Sequence, residues 1–303
     1  MIHRLIARML PFLPKKVVWL FSRRYISGIH LEDAVKAAID LDQNGAWATV
    51  DHLGEFITEL AQVAEAREAC LNALELLARE DLNVTCSLKP TSFGLLINFD
   101  FCYQAVREVV MRAGELGKMV RIDMEDATCV DRELELYRRL HAEFPKNVGI
   151  VIQSYLRRTA DDLIKLASWH SDKTPVNVRL CKGIYQESEV IAYKKRDEIN
   201  ERYLADLTFL FSHGIYVGIA THDKFLVRGA YDLIENFGLS PDQYEFQMLF
   251  GVTPELRAEI IGHGHHMRVY VPYGRDWFGY STRRLRENPK MVGQIIKALF
   301  IRG

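Results

Sequence analysis

Along most of the chain, short runs of apolar and β-branched residues alternate with longer segments in which apolar positions recur every three or four residues. The short runs predict strands over 46–53, 84–88, 119–122, 148–152, 176–181, 215–220, 244–249 and 267–271. The periodic segments predict helices over 57–80, 101–116, 131–143, 160–169, 188–211, 224–236 and 254–261. Parallel strands buried on both faces read as unbroken apolar runs, and a crossover, usually a helix, must carry the chain back between each pair. The pattern therefore predicts an α/β protein, a (β/α)8 TIM-type barrel over residues 46–303, preceded by an N-terminal helical extension over residues 1–45. An open doubly wound sheet is the competing topology. It is disfavoured because no GxGxxG follows the first strand, and the cluster Gly262-His263-Gly264 precedes a strand instead of following one. No Pro-, Gly- or Ser-rich linker, internal repeat or low-complexity segment interrupts the alternation.

In a parallel barrel the loops leaving the carboxyl ends of the strands converge on one face, so chemistry is expected there. The predicted strand ends carry Glu55, Lys89, Asp123, Gln153, Arg179 with Lys182, Thr221 with His222, Gln247, and Tyr270 with Tyr273. Polar groups that point inward together from every strand need partners or a ligand. Taken singly, each has a plainer role open to it: Asp123 could cap the following turn, and Thr221 or Asp223 the following helix. Beyond the last strand, Tyr280, Arg283, Arg284 and Glu287 stand at i, i+3, i+4 and i+7, one face of a helix. Two neighbouring guanidinium groups repel unless an anion lies between them, and their planar forks match a carboxylate or a phosphate. The bland reading is an exposed ion pair worth about 0.3–0.5 kcal/mol. The tyrosine on the same face favours a ligand clamp.

Charge narrows the partners. Lysine plus arginine (39) nearly balances aspartate plus glutamate (40), so no global field draws the chain to nucleic acid, and none is expected as a partner. The exception is residues 1–30, where Arg4, Arg8, Lys15, Lys16, Arg23 and Arg24 stand among apolar residues with no acidic residue. No apolar run there approaches the ~20 residues that span a bilayer. A basic amphipathic helix in peripheral contact with an anionic membrane and a helix packed on the barrel both fit. An acid-free, arginine-bearing leader also resembles a transit peptide, although serine is scarce. The expected location is cytoplasmic or peripheral at the inner membrane surface, with an organellar one left open.

Five cysteines (Cys70, Cys86, Cys102, Cys129, Cys181), odd in number and without a CxxC pair, argue against a disulfide framework and a structural zinc site. Cys86 and Cys181 read as buried fillers of strand-like runs. The histidine run His263, His265, His266 lies before the last strand, on the face opposite the expected site, and no HExxH occurs. No metal is expected. Metal-dependent hydrolysis is the runner-up class, and a silent amino-acid-binding barrel the third.

Several separate stretches, in order along the chain, resemble the proline dehydrogenase family, both its monofunctional members and the domain of bifunctional proline-utilisation proteins. They are Val176-Asn-Val-Arg-Leu-Cys-Lys-Gly-Ile-Tyr185, Val151-Ile-Gln-Ser-Tyr155, Ala220-Thr-His-Asp223, Tyr244-Glu-Phe-Gln-Met-Leu249, Tyr270-Val-Pro-Tyr-Gly274 and the segment from Tyr280 to Asn288. The resemblance implies a distorted barrel that holds FAD across its mouth and oxidises L-proline to 1-pyrroline-5-carboxylate, the first step of proline catabolism to glutamate. Electrons would pass to a quinone. By the same likeness, Arg283 and Arg284 clamp the proline carboxylate with Lys89 as a third cation, and Glu287 orients the arginines. Tyr280, Tyr270 and Leu249 would shape the pocket around the ring. Asp123 and Tyr185 would support Lys89 and the flavin-side wall, so Lys89, Asp123, Tyr185, Arg283 and Arg284 form the expected catalytic set. Glu55 would gate the site or pair with an arginine. Gln153 and Arg179 would donate to the isoalloxazine edge, and Asp123, Lys182, Gly183, Thr221, His222 and Gln247 would complete the cofactor set.

Departures from the family pattern are modest: Cys181 stands where valine is common, Ile184 replaces a small residue, and the loop from Gly274 to Tyr280 is short. No aldehyde-dehydrogenase segment follows, so the next step is expected of a separate protein.

Overall fold

The computed structural model describes residues 18, 19, 22–80 and 82–281. The predicted clamp of Arg283, Arg284 and Glu287 lies outside them, as do Arg4, Arg8, Lys15 and Lys16 of the basic leader. Eight parallel strands close into a barrel in sequence order: β1 (Trp47–His52), β2 (Val84–Leu88), β3 (Val120–Ile122), β4 (Val148–Gln153), β5 (Asn177–Cys181), β6 (Tyr216–Ala220), β7 (Tyr244–Leu249) and β8 (Met267–Tyr273). Closure comes from β8 against β1, with Thr49 opposite Tyr270 and Asp51 opposite Pro272. The helices described are α1 (Leu31–Asp42), α2 (Val63–Arg79), α3 (Phe99–Glu115), α4 (Val130–Glu143), α5 (Thr159–Trp169), α6 (Arg196–Ser212), α7 (Lys224–Phe237) and α8 (Pro254–Gly262).

Alternation along each strand sorts the residues. In β1, Ala48 and Val50 join the apolar core shared with the surrounding helices, whereas Thr49 and Asp51 belong to the barrel interior. Contacts across the barrel identify the inward set: Arg179 of β5 reaches Ser87 of β2, and Tyr270 of β8 reaches Asp123 just past β3. The interior is polar, and its side chains are long. Glycines make room for them: a Cβ on Gly149 of β4 would stand 2.5 Å from Arg121 Nη1 and 3.0 Å from the Asn177 carbonyl oxygen. Arg121 uses that space to donate to the carbonyls of Ile150 and Asn177 and to Asn177 Oδ1.

The helix α1 lies against β1 and β8, burying Ala34, Val35, Ala37, Ala38 and Leu41. It thus occupies the outer position that the helix following β8 takes in a regular barrel. After β8 the chain turns at Gly274 and is helical again over 277–281, where Tyr280 meets the cavity at the barrel mouth.

Two predicted helices are shorter than the periodicity implied. Over 57–62 the chain is a loop ending in a 3-10 turn, because Phe56 adopts a left-handed φ of 53° and the Gln62 side chain takes the N–H groups of Thr58 and Glu59. Over 188–195 the backbone pairs elsewhere: Arg157 N–H donates to the Ile191 carbonyl and Tyr193 N–H to the Tyr155 carbonyl. The histidine run sits at the amino end of β8 among aromatics, with His265 stacked on Tyr231 and His266 against Trp47.

Substituting Gly149→Ala should destabilise the fold by about 1–3 kcal/mol, since the new methyl overlaps a buried guanidinium and a strand carbonyl. Urea unfolding would measure this, and a loss below about 0.5 kcal/mol would show that Arg121 has another place to go.

Candidate active site

A cavity of about 590 Å³ opens at the carboxyl ends of the strands. That lies within the range of roughly 300–1,000 Å³ typical of small-ligand sites. Its wall carries thirteen of the predicted residues: Lys89, Asp123, Gln153, Arg179, Lys182, Gly183, Tyr185, Thr221, His222, Gln247, Leu249, Tyr270 and Tyr280. Two of the strand-end polar residues are not part of it. Glu55 stands on the loop after β1, and Tyr273 is buried with its ring edge-on to His52.

The floor of the cavity is an ionic chain. Lys89, only 8% exposed, donates to Asp51 Oδ2 at 2.8 Å and to the Tyr270 hydroxyl at 3.4 Å. Tyr270 donates to Asp123 Oδ2 at 3.0 Å, and Asp123 Oδ1 accepts from Ser87 Oγ at 2.6 Å and from Arg179 Nη1 at 2.9 Å. Burial alone would lower the Lys89 pKa, but the carboxylates of Asp51 and Asp123 outweigh it and hold the ammonium above its ordinary range. Burial beside the same two carboxylates keeps Tyr270 a phenol. Lys89 is therefore a fixed cation throughout the neutral range. Its direct holders are Asp51 and Tyr270; Asp123 acts at one remove, and Tyr185 contributes to the wall.

Asp51 escaped the strand-end reading because it lies inside β1, although it is the one charge in the run 46–51. Arg196 was also missed. It lines the cavity mouth and shares Asp223 Oδ2 with Lys182, at 2.9 and 2.7 Å. Burial pulls the Asp223 carboxyl upward, yet these two cations prevail and hold it at about 2. The same carboxylate caps α7 by accepting from Phe225 N–H, as its position before a helix suggested. Asp123, by contrast, is committed to Ser87, Arg179 and Tyr270 and caps no turn.

The amides constrain what the wall offers. Gln153 spends its NH2 group on the carbonyls of Met124 and Glu125, both acceptors, so the N–H donation expected of it is not available and its oxygen is what remains for the cavity. Gln247 accepts from Arg179 Nε at 2.6 Å and donates to Glu245. His222 Nε2 accepts from Leu249 N–H at 2.9 Å, placing the imidazole proton on Nδ1. Arg179 is left with one buried nitrogen, Nη2, that has no hydrogen-bond partner among the described residues. Cys181 lies in the cavity wall as a free thiol that burial pushes up to about 12, so it serves as a packing surface and not as a thiolate. Gly183 adopts φ +106°, and a Cβ there would stand 2.1 Å from the Tyr155 ring. Backbone conformation and space both require glycine.

The family model described as proline dehydrogenase matches residues 34–297. Proline dehydrogenase 1 of Bacillus subtilis (strain 168) is 36% identical over 282 residues, 92% of this chain and 91% of that one. The proline dehydrogenase of Deinococcus radiodurans is 31% identical over 294 residues, 95% of this chain and 92% of that one. Among solved structures, proline utilization A from Bdellovibrio bacteriovorus, inactivated by N-propargylglycine, superposes with a TM-score of 0.83 at 24% identity. That match covers 88% of this chain, which spans about a third (32%) of the longer protein. The match concerns the fold.

Removing one member of the buried pair leaves the other uncompensated. Lys89→Met should cost about 3–5 kcal/mol, and adding Asp51→Asn should recover a large part of it. Urea unfolding of the two single variants and the double variant checks this, and additive losses would mean that the pair is not coupled.

Proposed function

The chain belongs to the proline dehydrogenase family, and we propose that it oxidises L-proline to 1-pyrroline-5-carboxylate with FAD as cofactor and a quinone as electron acceptor. The observation that carries this reading is the pairing pattern of the cavity wall: Lys89, Asp123 and Lys182 are each committed to protein partners, whereas Arg179 Nη2 is buried with none among the described residues. A buried unpaired donor on a cation is costly and is satisfied by an acceptor brought with a ligand. The residues fit the proposed cofactor. Arg179 offers it a donor, Gly183 leaves the close approach that a side chain would fill, and Lys182 with Arg196 puts positive charge at the mouth for a pyrophosphate. Thr221, His222, Gln247 and the Gln153 oxygen complete that side of the wall.

FAD, when bound, would supply the two-electron acceptor that no side chain provides. The chain's own part is to bind and orient. Oxidation breaks a C–H bond at C5 of proline, so the ring must be held in one pose. Lys89, made permanently cationic by Asp51 and Asp123, supplies a charge for the substrate carboxylate. In this reading the sequence-predicted Arg283 and Arg284, with Glu287 as their partner, would complete the clamp; all three lie outside the described residues. Leu249, Tyr280 and the Tyr270 ring, whose hydroxyl is already spent on Asp123, present apolar surface to the rest of the substrate. No described helix is long and apolar enough to cross a membrane. Delivery of electrons to a membrane quinone is assigned to peripheral contact through the basic N-terminal segment.

Incubation of the FAD-reconstituted protein with L-proline and a soluble quinone, followed by proton NMR, should show one cyclic imine formed per quinone reduced. Arg284→Lys should raise KM for L-proline by roughly tenfold or more with a smaller effect on kcat, because a point charge cannot replace a bidentate fork. No imine with any quinone tested would contradict the reading, and an unchanged KM would remove Arg284 from the clamp.

A further inference from the structure

Glu245 lies on β7 two residues before Gln247, so both side chains enter the barrel, Gln247 at the cavity wall and Glu245 one layer beneath it. Glu245 is 1% exposed and does not line the cavity. Its carboxylate accepts from Arg268 Nε at 2.8 Å, from the Tyr216 hydroxyl at 3.0 Å and from Gln247 Nε2. Burial works to raise its pKa, but Arg268, Arg121 and the Gln247 amide outweigh that and hold it below the usual carboxylate range.

A carboxylate can only accept, so the Gln247 amide must turn its NH2 toward Glu245. Its oxygen then faces Arg179 Nε at 2.6 Å. A neutral group in place of Glu245 would loosen the hold on the NH2 end of the amide and leave the guanidinium alone to fix it. Room for this amide is built into the neighbouring strand: a Cβ on Gly218 of β6 would stand 2.4 Å from Gln247 Nε2 and 2.8 Å from its Cδ. Beyond the amide, Arg179 is held on a second side by Asp123 at 2.9 Å and Ser87 at 3.4 Å, both through Nη1. With Nε and Nη1 committed, Nη2 is the nitrogen left over.

We propose that Glu245 is a positioning residue for the reaction: it fixes the Gln247 amide and, through that amide, holds Arg179 with Nη2 as the donor available to the cofactor. This rests on the function proposed above. Arg268 in turn anchors Glu245, since it also donates to the carbonyls of Ala48 and Asn83 and to Asn83 Oδ1. The order of the cavity wall thus depends on a chain of side chains that begins beneath it, at β8. A cationic donor held at the edge of a flavin favours its reduced, more negative form. Misplacing it should show in the flavin's potential and not in proline affinity.

The test compares wild type, Glu245→Gln and Gln247→Leu, each reconstituted with FAD, by redox titration in the visible spectrum, kcat per bound flavin and KM for L-proline. The relay predicts a lower midpoint potential in both variants and a fall in kcat per bound flavin of about tenfold or more. KM should stay within about twofold of wild type. In an Arg179→Met background, Glu245→Gln should add no further shift in potential. Gln247→Leu cuts the chain at its middle and leaves the Glu245–Arg268 pair in place, so it tests the relay even if Glu245→Gln does not fold. A purely structural role would lower the unfolding temperature and the flavin content yet leave the loaded fraction at the wild-type potential, and that result overturns the proposal. A wild-type protein that takes up no flavin overturns the proposed function and the relay together. A yellow wild type whose variants keep its potential overturns the relay alone.

Discussion

The interior of this barrel is filled with charge, and most of those buried charges meet an opposite charge within hydrogen-bonding distance, Arg121 being held instead by carbonyl oxygens. Asp51 with Lys89, Asp123 with Arg179, and Glu245 with Arg268 are such pairs, none more than 14% exposed at either side chain. Isolated in a medium of low polarity, any one of these ions would cost several kcal/mol. Tyr270 joins the first pair to the second and Gln247 the second to the third, so the three behave as one connected body. Such a body resists rearrangement, because moving one member strands its neighbours. The cavity above it therefore inherits a preformed electrostatic floor, with Lys89 charged and Arg179 aligned, before a ligand enters.

Other features follow from that floor. Two of the long polar side chains inside the barrel lie where a neighbouring strand carries no Cβ, Arg121 over Gly149 and Gln247 over Gly218. The apolar residues of the strands are thereby directed outward, where they form a continuous core with the helices. Because α1 already covers β8 and β1, the helix beginning at residue 277 is not needed there and brings Tyr280 to the cavity instead. Fold and site are thus consequences of one division of labour, with apolar residues facing the helices and charges facing the axis.

Much of this was legible in the sequence. Strands β2 and β7 match their predicted runs residue for residue, because turn residues bound them tightly on both sides. Twelve strand-end and loop residues, joined by Tyr280 from the helical segment 277–281, converge on the cavity expected of a parallel barrel. Periodicity failed at 57–62 and 188–195, where a left-handed residue and cross-loop backbone pairing overrode it. Asp51 and Glu245 were passed over for a different reason. Both sit inside strands and not at their ends, yet each is an acidic residue in an apolar run, which is itself a signal of a buried partner. The direction of the Gln153 amide could not be read in advance, since it depends on two carbonyls brought to it by the β3 loop.

The chain belongs to the proline dehydrogenase family, and the function proposed for it puts proline chemistry at this floor, with the wall residues orienting the substrate and holding a flavin. The central claim is that the cavity binds FAD and uses it on L-proline. The most direct measurement is the visible absorption spectrum of the purified protein before and after anaerobic addition of L-proline. A flavin spectrum should bleach on proline and return when a quinone is added. A protein that stays colourless after reconstitution with FAD, or a flavin spectrum that proline leaves unchanged, would contradict it.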